Sequence, residues 1–375
     1  MSKVLIVSVK AGYGHHSTAK AVVERFEKKG VECKMLDMFE YINHRLNTSV
    51  NKGYLLSTKY TPAAFGKVYS TLDKKEDKYE KYSPTSILSN MVSLKLKEYI
   101  NDYNPDVILA THSFASMVMS YMREKEKISC KCIIGIVTDF TIHPFWESTV
   151  LDYYVTADEL LTHQICKKGI PADKVKPFGI PVRDVFSTKI PYSDARTSLG
   201  IADKKTILFI MGSMGFGDIE KSIAAVDKVD GDFQILCVCG NNKKMKKELD
   251  KMCSENIFSK DIKVYGFVDN VDVMMDAADI IITKPGGLTT SEALAKNVPI
   301  VIMNPIPGQE NRNMEFLVNN GAAVMVTETF PIDEALYNLM HSSWRTDALK
   351  QNAEHIRKPN ASEDLCNFII ENYLK

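Results

Sequence analysis

Residues 278–303 read ADIIITKPGGLTTSEALAKNVPIVIM: an apolar run, a glycine turn, a helical stretch and a second apolar run. The runs DIIIT (279–283) and VPIVIM (298–303) show no alternation of polar with apolar residues. Such runs suit strands buried on both faces of a parallel sheet. Between them, Gly286 and Gly287 permit close backbone approach, and a helix is expected to start near Thr289. A helix N-terminus behind a glycine turn favours an anion, because unpaired N–H groups and the helix dipole both point at it. Glu292 then has two readings. In Thr289-x-x-Glu292 it matches a capping box, where the carboxylate only satisfies a backbone donor. Alternatively, a carboxylate early in a helix behind a phosphate loop accepts the ribose hydroxyls, as acidic residues do in dinucleotide sites.

The same rhythm extends in both directions. KVLIVSV (3–9), DVILAT (106–111) and KCIIGIV (131–137) are the clearest runs of the first half, with KTILFIM (205–211) and QILCVC (234–239) in the second. Strands alternating with helical patterns predict a doubly wound α/β architecture. The stretch GIPVRDVFSTKIPYSD (179–194) separates the two series and has the composition of a linker. Two similar domains are therefore expected, 1–190 and 191–375, and the last helix, about 362–374, is compatible with either. A chain of 375 residues has room for both, since single cores rarely grow beyond about 250–300 residues.

Composition narrows the function. The chain is 45% hydrophobic and 25% charged with zero net charge, which argues against nucleic acid as the main partner, because phosphate-backbone binding needs a basic footprint. No apolar run approaches the roughly 20 residues of a membrane-spanning helix. The short run Val4–Val9 leads into a glycine loop and reads as a first strand, not a signal peptide, so a cytoplasmic location is expected. Cys130 with Cys132, and Cys237 with Cys239, read as small buried hydrophobes on strands, and no Cys/His spacing suits zinc.

One segment breaks the pattern. Tyr41–Tyr103 holds eight of the sixteen tyrosines, with ten Lys/Arg against six Asp/Glu. Tyr54, Leu55 and Phe65 lie among interspersed lysines there, a mixture suited to a water–membrane boundary. A helical insertion packed on its domain is the other reading.

Three further stretches bear chemistry. In AGYGHHSTAKAVVERF (11–26), Gly12 and Gly14 allow a tight turn, and Ser17 is expected to cap a helix with an Ala19, Val22, Val23, Phe26 stripe. His15 lies beyond the carboxyl end of the first strand, where open α/β sheets bind ligands, and it can accept a proton near neutral pH. His16 is its neighbouring rival. MGSMGFGD (211–218), with Gly212 and Ser213, follows a strand and suits a phosphate, as ordinary tight turns also would. NPIPGQENRN (304–313) is expected to be a polar loop, in which Gln309, Glu310, Asn311 and Asn313 could meet a hydroxyl-rich ligand.

Taken in order, GYGH, GIPV, MGSMGFG, GFV (266–268), DIIITKPGG-T-SEALA and PGQE-N resemble the monogalactosyldiacylglycerol synthase and diacylglycerol glucosyltransferase family. VTDFTIHPFW (137–146) and GIPVRDVF (179–186) resemble segments of its N-terminal domain. The resemblance implies a GT-B fold, two Rossmann-like doubly wound domains facing each other across a cleft, with acceptor on the first and nucleotide sugar on the second. It implies His15 as general base, with Gly14 and Asp139 on the acceptor side. It implies nucleotide-sugar contacts from Gly212, Ser213, Gly286, Gly287, Thr289 and Glu292 (the ribose), from backbone near Phe267 and Val268 (the uracil), and from Gln309, Glu310 and Asn313 (the sugar). Tyr13 departs from the small or polar residue common in relatives. The implied reaction is inverting transfer of glucose or galactose from a UDP-sugar to diacylglycerol, giving a β-linked glycolipid. No obligatory metal or cofactor is expected, and the location implied is peripheral, on the inner face of the cell membrane. Other readings are a polyprenol-linked or small-molecule acceptor, a nucleotide-sugar epimerase, and a non-catalytic UDP-sugar sensor.

Overall fold

A computed structural model describes residues 2–9, 14–42, 84–211 and 219–375. The expected residues Tyr54, Leu55, Phe65, Gly212 and Ser213 lie outside the described residues. The chain divides into two compact units: residues 1–184 with 306–309 and 360–375, and residues 185–305 with 310–359.

The first unit runs β1 (Lys3–Ser8), α1 (Gly14–Lys28), β2 (Glu32–Asp37), α2 (Met38–Ile42), α3 (Pro84–Tyr103), β3 (Val107–Ala110), α4 (Ser113–Glu124), β4 (Cys132–Ile136), α5 (Pro144–Glu147), β5 (Tyr153–Val155), α6 (Thr162–Lys167) and β6 (Val175–Lys176). Its sheet has the order β2-β1-β3-β4-β5-β6, and every pairing is parallel. In β1, Val4 and Ile6 enter a core shared with Ala19, Val22 and Phe26 of α1. Leu5 and Val7 are equally inaccessible. The strand is thus covered on both faces, which is why its sequence does not alternate.

The second unit runs α7 (Tyr192–Ser198), β7 (Lys205–Ile210), α8 (Ile219–Asp227), β8 (Phe233–Val238), α9 (Lys243–Ser254), β9 (Asp261–Tyr265), α10 (Val271–Ala277), β10 (Ile280–Thr283), α11 (Gly287–Ala295), β11 (Ile300–Ile302), α12 (Gln309–Asn319), β12 (Ala323–Met325), α13 (Ile332–His341) and α14 (Ser343–Ile356). Its sheet order is β12-β11-β10-β7-β8-β9, again all parallel. Ile207, Phe209, Cys237 and Cys239 pack with Ile223 and Val226 of α8 and with Leu336 and Leu339 of α13. These two cysteines behave as the small buried hydrophobes expected, and so does Cys132; Cys130 is only half-buried and precedes its strand.

The last helix, α15 (Ala361–Tyr373), whose sequence is compatible with either domain, belongs to the first unit. Leu365, Cys366 and Ile369 fill the core against α1. Ser362 Oγ donates to the Val182 carbonyl at 2.6 Å, and Arg25 of α1 pairs with Glu363. The stretch expected to be a linker is also tied down on both sides of the junction. Asp184 accepts from Arg25 at 3.0 Å and Lys28 at 2.7 Å in the first unit. In the second, the buried Lys296 ammonium donates to the Thr188 carbonyl and to Asp276.

In each sheet the chain reverses its direction of strand addition once, between β1 and β3 in the first and between β7 and β10 in the second. Helices diverge to opposite sides at such a reversal, which leaves a crevice beyond the carboxyl ends of the two strands. The segments after β1 and β3 hold His15 and His112, and those after β7 and β10 are residues 211–218 and the KPGG turn.

Candidate active site

In the first unit α1 spans Gly14–Lys28, so Ser17 lies within the helix instead of capping it. His15 and His16 therefore occupy its first turn. The His15 imidazole is anchored through one nitrogen: Nδ1 lies 2.8 Å from the Thr111 carbonyl oxygen and 2.8 Å from Thr138 Oγ1. A carbonyl only accepts, so Nδ1 carries the proton, and the lone pair is left on Nε2. Thr111 is itself fixed, its hydroxyl donating to Ser8 Oγ at 3.0 Å. Burial pushes the His15 pKa below its usual 6.5, and the hydrogen bond to Thr111 opposes that shift. A neutral imidazole with Nε2 available is the form a general base requires.

Two residues that sequence reasoning missed stand beside it. His112, at the other side of the β1–β3 reversal, meets the His15 ring edge-on with centroids 4.6 Å apart. Thr138, the residue before Asp139, holds Nδ1. Both come near His15 only through strand pairing across about 100 residues of sequence, so local patterns do not reveal them. Gly14 is the first helical residue of α1, and Asp139 is half-buried and accepts from the Gln309 side-chain amide.

In the second unit the KPGG turn ends β10 and starts α11 at Gly287, two residues before the expected position. Gly286 is the N-cap, and no side chain caps the helix. Thr289 is thus the third helical residue, and the capping-box reading of Glu292 falls: the glutamate sits a further turn into the helix, half-buried. The turn is held by its own hydroxyls, with Thr290 Oγ1 donating to the Gly286 carbonyl at 2.7 Å and Ser291 Oγ to the Gly287 carbonyl at 2.7 Å. Asn313, buried, donates to the Pro285 carbonyl at 3.0 Å. No acidic residue occupies the first turn of α11, so its dipole is left positive toward an incoming anion.

Gln309, Glu310 and Asn313 are not in a loop: α12 begins at Gln309 after a left-handed Gly308 with φ of 102°. A third missed residue is Lys284, 6% exposed. Its ammonium lies 3.9 Å from Glu310. Burial pushes its pKa below 10.5 and Glu310 opposes this. Phe267, just after the edge strand β9, is 66% exposed, and Val268 is half-buried.

Two parallel α/β sheets of this kind define the GT-B fold class. MurG of Acinetobacter baumannii matches with a TM-score of 0.65 at 16% identity, covering 99% of this chain and 100% of that one. UDP-GlcNAc 2-epimerase from Neisseria meningitidis, bound to UDP-GlcNAc, matches at 0.64 and 15%, with 99% and 100% covered. At such identities these structures establish the fold alone. Sequence relatives carry the assignment further. Residues 15–182 match the monogalactosyldiacylglycerol synthase family model, and residues 206–365 match the C-terminal domain of glycosyltransferase family 28. A processive diacylglycerol beta-glucosyltransferase from Bacillus cereus (strain B4264) is 31% identical over 342 residues, covering 89% of this chain and 85% of the relative. One from Bacillus pumilus (strain SAFR-032) is 29% identical over 371 residues, covering 98% and 94%. The chain belongs to this diacylglycerol glycosyltransferase family and is a UDP-sugar-dependent hexosyltransferase. No helix among the described residues is long and apolar enough to cross a membrane.

Proposed function

We propose that the chain transfers glucose or galactose from its UDP-sugar to the free hydroxyl of diacylglycerol, with inversion, to give a β-linked glycolipid. The observation that carries this reading is the tautomer of His15. Its Nδ1–H is committed to the Thr111 carbonyl, and Nε2 is left to accept a proton at the sheet's point of reversal. The names of the relatives support diacylglycerol as acceptor, and glucose among the donors.

In this mechanism Nε2 takes the proton of the lipid hydroxyl as its oxygen bonds to the anomeric carbon. The bond from that carbon to the diphosphate breaks, and UDP departs with the electron pair. The N-terminus of α11 and the Lys284 ammonium offset the charge that develops on the diphosphate. Glycine-loop amides at Gly212 and Ser213 share that role. Glu292 accepts the ribose hydroxyls, backbone at Phe267 and Val268 meets the uracil, and Gln309, Glu310 and Asn313 bind the hexose. Gly14 and Asp139 border the acceptor. These groups supply the charge stabilisation without an obligatory metal. Peripheral attachment at the inner face of the membrane follows from a lipid substrate. It is supported by the exposed Met91 and Leu94 of α3 beside exposed Lys95 and Lys97, which lie in the same Tyr41–Tyr103 stretch of sequence as Tyr54, Leu55 and Phe65.

The test is incubation with each UDP-sugar and diacylglycerol vesicles, with products read by mass. Wild type should yield hexosyl-diacylglycerol, and His15→Ala should bind UDP normally yet lose turnover by at least about 100-fold. Unchanged lipid with every donor overturns the acceptor assignment. Near-normal turnover of His15→Ala overturns the base.

A further inference from the structure

Three imidazoles gather at the carboxyl end of the first sheet, and they differ in what protonation would do to them. His112 is the N-cap of α4, its Nδ1 accepting from the Phe114 N–H at 3.0 Å. His143 is likewise the N-cap of α5, its Nδ1 accepting from the Phe145 N–H at 3.1 Å. A ring nitrogen that accepts a hydrogen bond must hold its lone pair there. Protonating either cap would set one N–H against another and break the helix start. His15 is built the other way round, with Nδ1–H donating to the Thr111 carbonyl, so protonation of Nε2 disturbs no hydrogen bond made by a described residue.

We propose that His112 is a positioning residue for the transfer reaction: its helix cap locks it neutral, so that the proton drawn from the acceptor stays on His15, and its ring keeps the His15 imidazole oriented. This rests on His15 being the base. The ring contact gives the means, since the two imidazoles meet edge to face with centroids 4.6 Å apart and an interplanar angle of 72°. The titratable groups that act on His112 are His15 from α1 and His143 from the start of α5. The first turn of α4 carries no carboxylate. Burial, then the two neighbouring imidazoles, hold His112 well below the usual 6.5.

The experiment uses two variants that keep a cap oxygen, since Asn and Asp are good N-caps. His112→Asn removes the ring, and His112→Asp places a carboxylate beside His15. Imidazole titrations of the full chain are followed by NMR without substrate, and kcat/KM is measured against pH. In the wild type, His112 should stay neutral through the range in which an ordinary histidine titrates. The His15 midpoint should move up toward 6.5 in His112→Asn, as water replaces the ring. In His112→Asp it should rise by about one to three units. The acid limb of kcat/KM should follow both shifts, and kcat of His112→Asn should fall roughly ten-fold or more with the donor KM little changed. A purely structural cap predicts lower thermal stability in His112→Ala and unmoved midpoints in the Asn and Asp variants. Unmoved midpoints, or a wild-type His112 that protonates near 6.5, overturn the proposal. Should the variants not fold, the wild-type titration can still overturn it. Absence of lipid product from wild type would instead defeat the reading of the function, and the midpoints would be untouched by that result.

Discussion

Gly286→Ala separates a glycine required by a ligand from one required by the fold. At Gly286 the backbone has φ −72° and ψ 134°, which any residue adopts without strain. A methyl group there would meet no described atom within 4 Å. Gly135 in β4 is the contrasting case, because a methyl group at that position would lie 2.5 Å from Trp146 and 2.7 Å from Leu151. No described atom therefore demands glycine at 286, and because alanine is a poorer N-cap than glycine, Gly286→Ala should cost the fold only about 1 kcal/mol. The donor diphosphate supplies the reason: it is proposed to sit against the N-terminus that Gly286 caps, where a methyl group would hold it off. Losing one charge-assisted hydrogen bond of about 1.5–3 kcal/mol weakens binding roughly 10- to 150-fold. Calorimetric titration with UDP measures this, beside a thermal melt of each variant. Gly135→Ala should act on the fold alone, destabilising by about 1–3 kcal/mol through overpacking while the affinity of the folded fraction for UDP is retained. A Gly286→Ala protein that binds UDP within about two-fold of wild type would refute the placement of the phosphates.

Leu365→Ala should destabilise the first unit by about 2–5 kcal/mol, because Leu365 is fully buried against α1; a denaturant titration that shows less than 1 kcal/mol would contradict the docking of α15. Lys296→Met should lower stability by about 3–5 kcal/mol, since it strands Asp276 in a pair where both side chains are only 2% exposed. Restoring most of that loss with Asp276→Leu in the same chain would identify the stranded charge as the cause. On the acid side, kcat/KM should hold through 6.5 and fall only below it, because His15 titrates lower than usual and must be neutral to act. Stability should share the direction: His15 and His112 have folded pKa values below their unfolded value near 6.5, so the unfolded chain binds more protons. Their contribution is complete above 6.5 and is lost as pH falls toward the folded values, which a melt series from pH 8 to 5 would follow.

Much of the architecture was legible because the central strands are apolar on both faces. β1, β3, β4, β7, β8, β10 and β11 were each anticipated within a residue or two. The strands that sequence reading passed over are β2, β5, β6, β9 and β12. Four of these are edge strands and β5 lies next to one, and those with polar, half-exposed residues, such as DIKVY in β9, lack a continuous apolar run. Helix starts were read too late in both glycine motifs. Ser17 and Thr289 look like caps, yet the preceding glycines and histidines have already entered the helix, and the backbone closes through Gly286 in the second case. The side of the molecule to which α15 belongs could not be told from an amphipathic pattern alone, because any apolar groove would accept it. His112 and Lys284 were hidden for a similar reason. A histidine between a strand and a helix, or a lysine at a strand end, has no distinctive spacing until pairing brings β3 beside β1 and α12 beside the KPGG turn.

In the proposed mechanism the two sheets put one geometric device to opposite electrostatic purposes. Both bring two segments together where strand order reverses, but the residues there differ in the charge they tolerate. A base must remain neutral before it acts. Among the described residues the groups that hold His15, the proposed base, are without net charge: the Thr111 carbonyl, the Thr138 hydroxyl and a capped imidazole. A cation at that point would weaken the base further, and a carboxylate would tend to keep it protonated. A diphosphate leaving group needs the opposite field, and the reversal in the second sheet has an uncapped helix N-terminus, no acid in its first turn and a buried lysine beside it. Exchanging the two environments should disable both: Thr138→Lys would hold His15 neutral but feeble, and Thr289→Glu would put a negative charge where the phosphates are proposed to bind. The first change should lower kcat with the UDP affinity intact, and the second should lower the UDP affinity while leaving the His15 titration unmoved. If the two effects were interchanged, the division of labour between the sheets would be wrong.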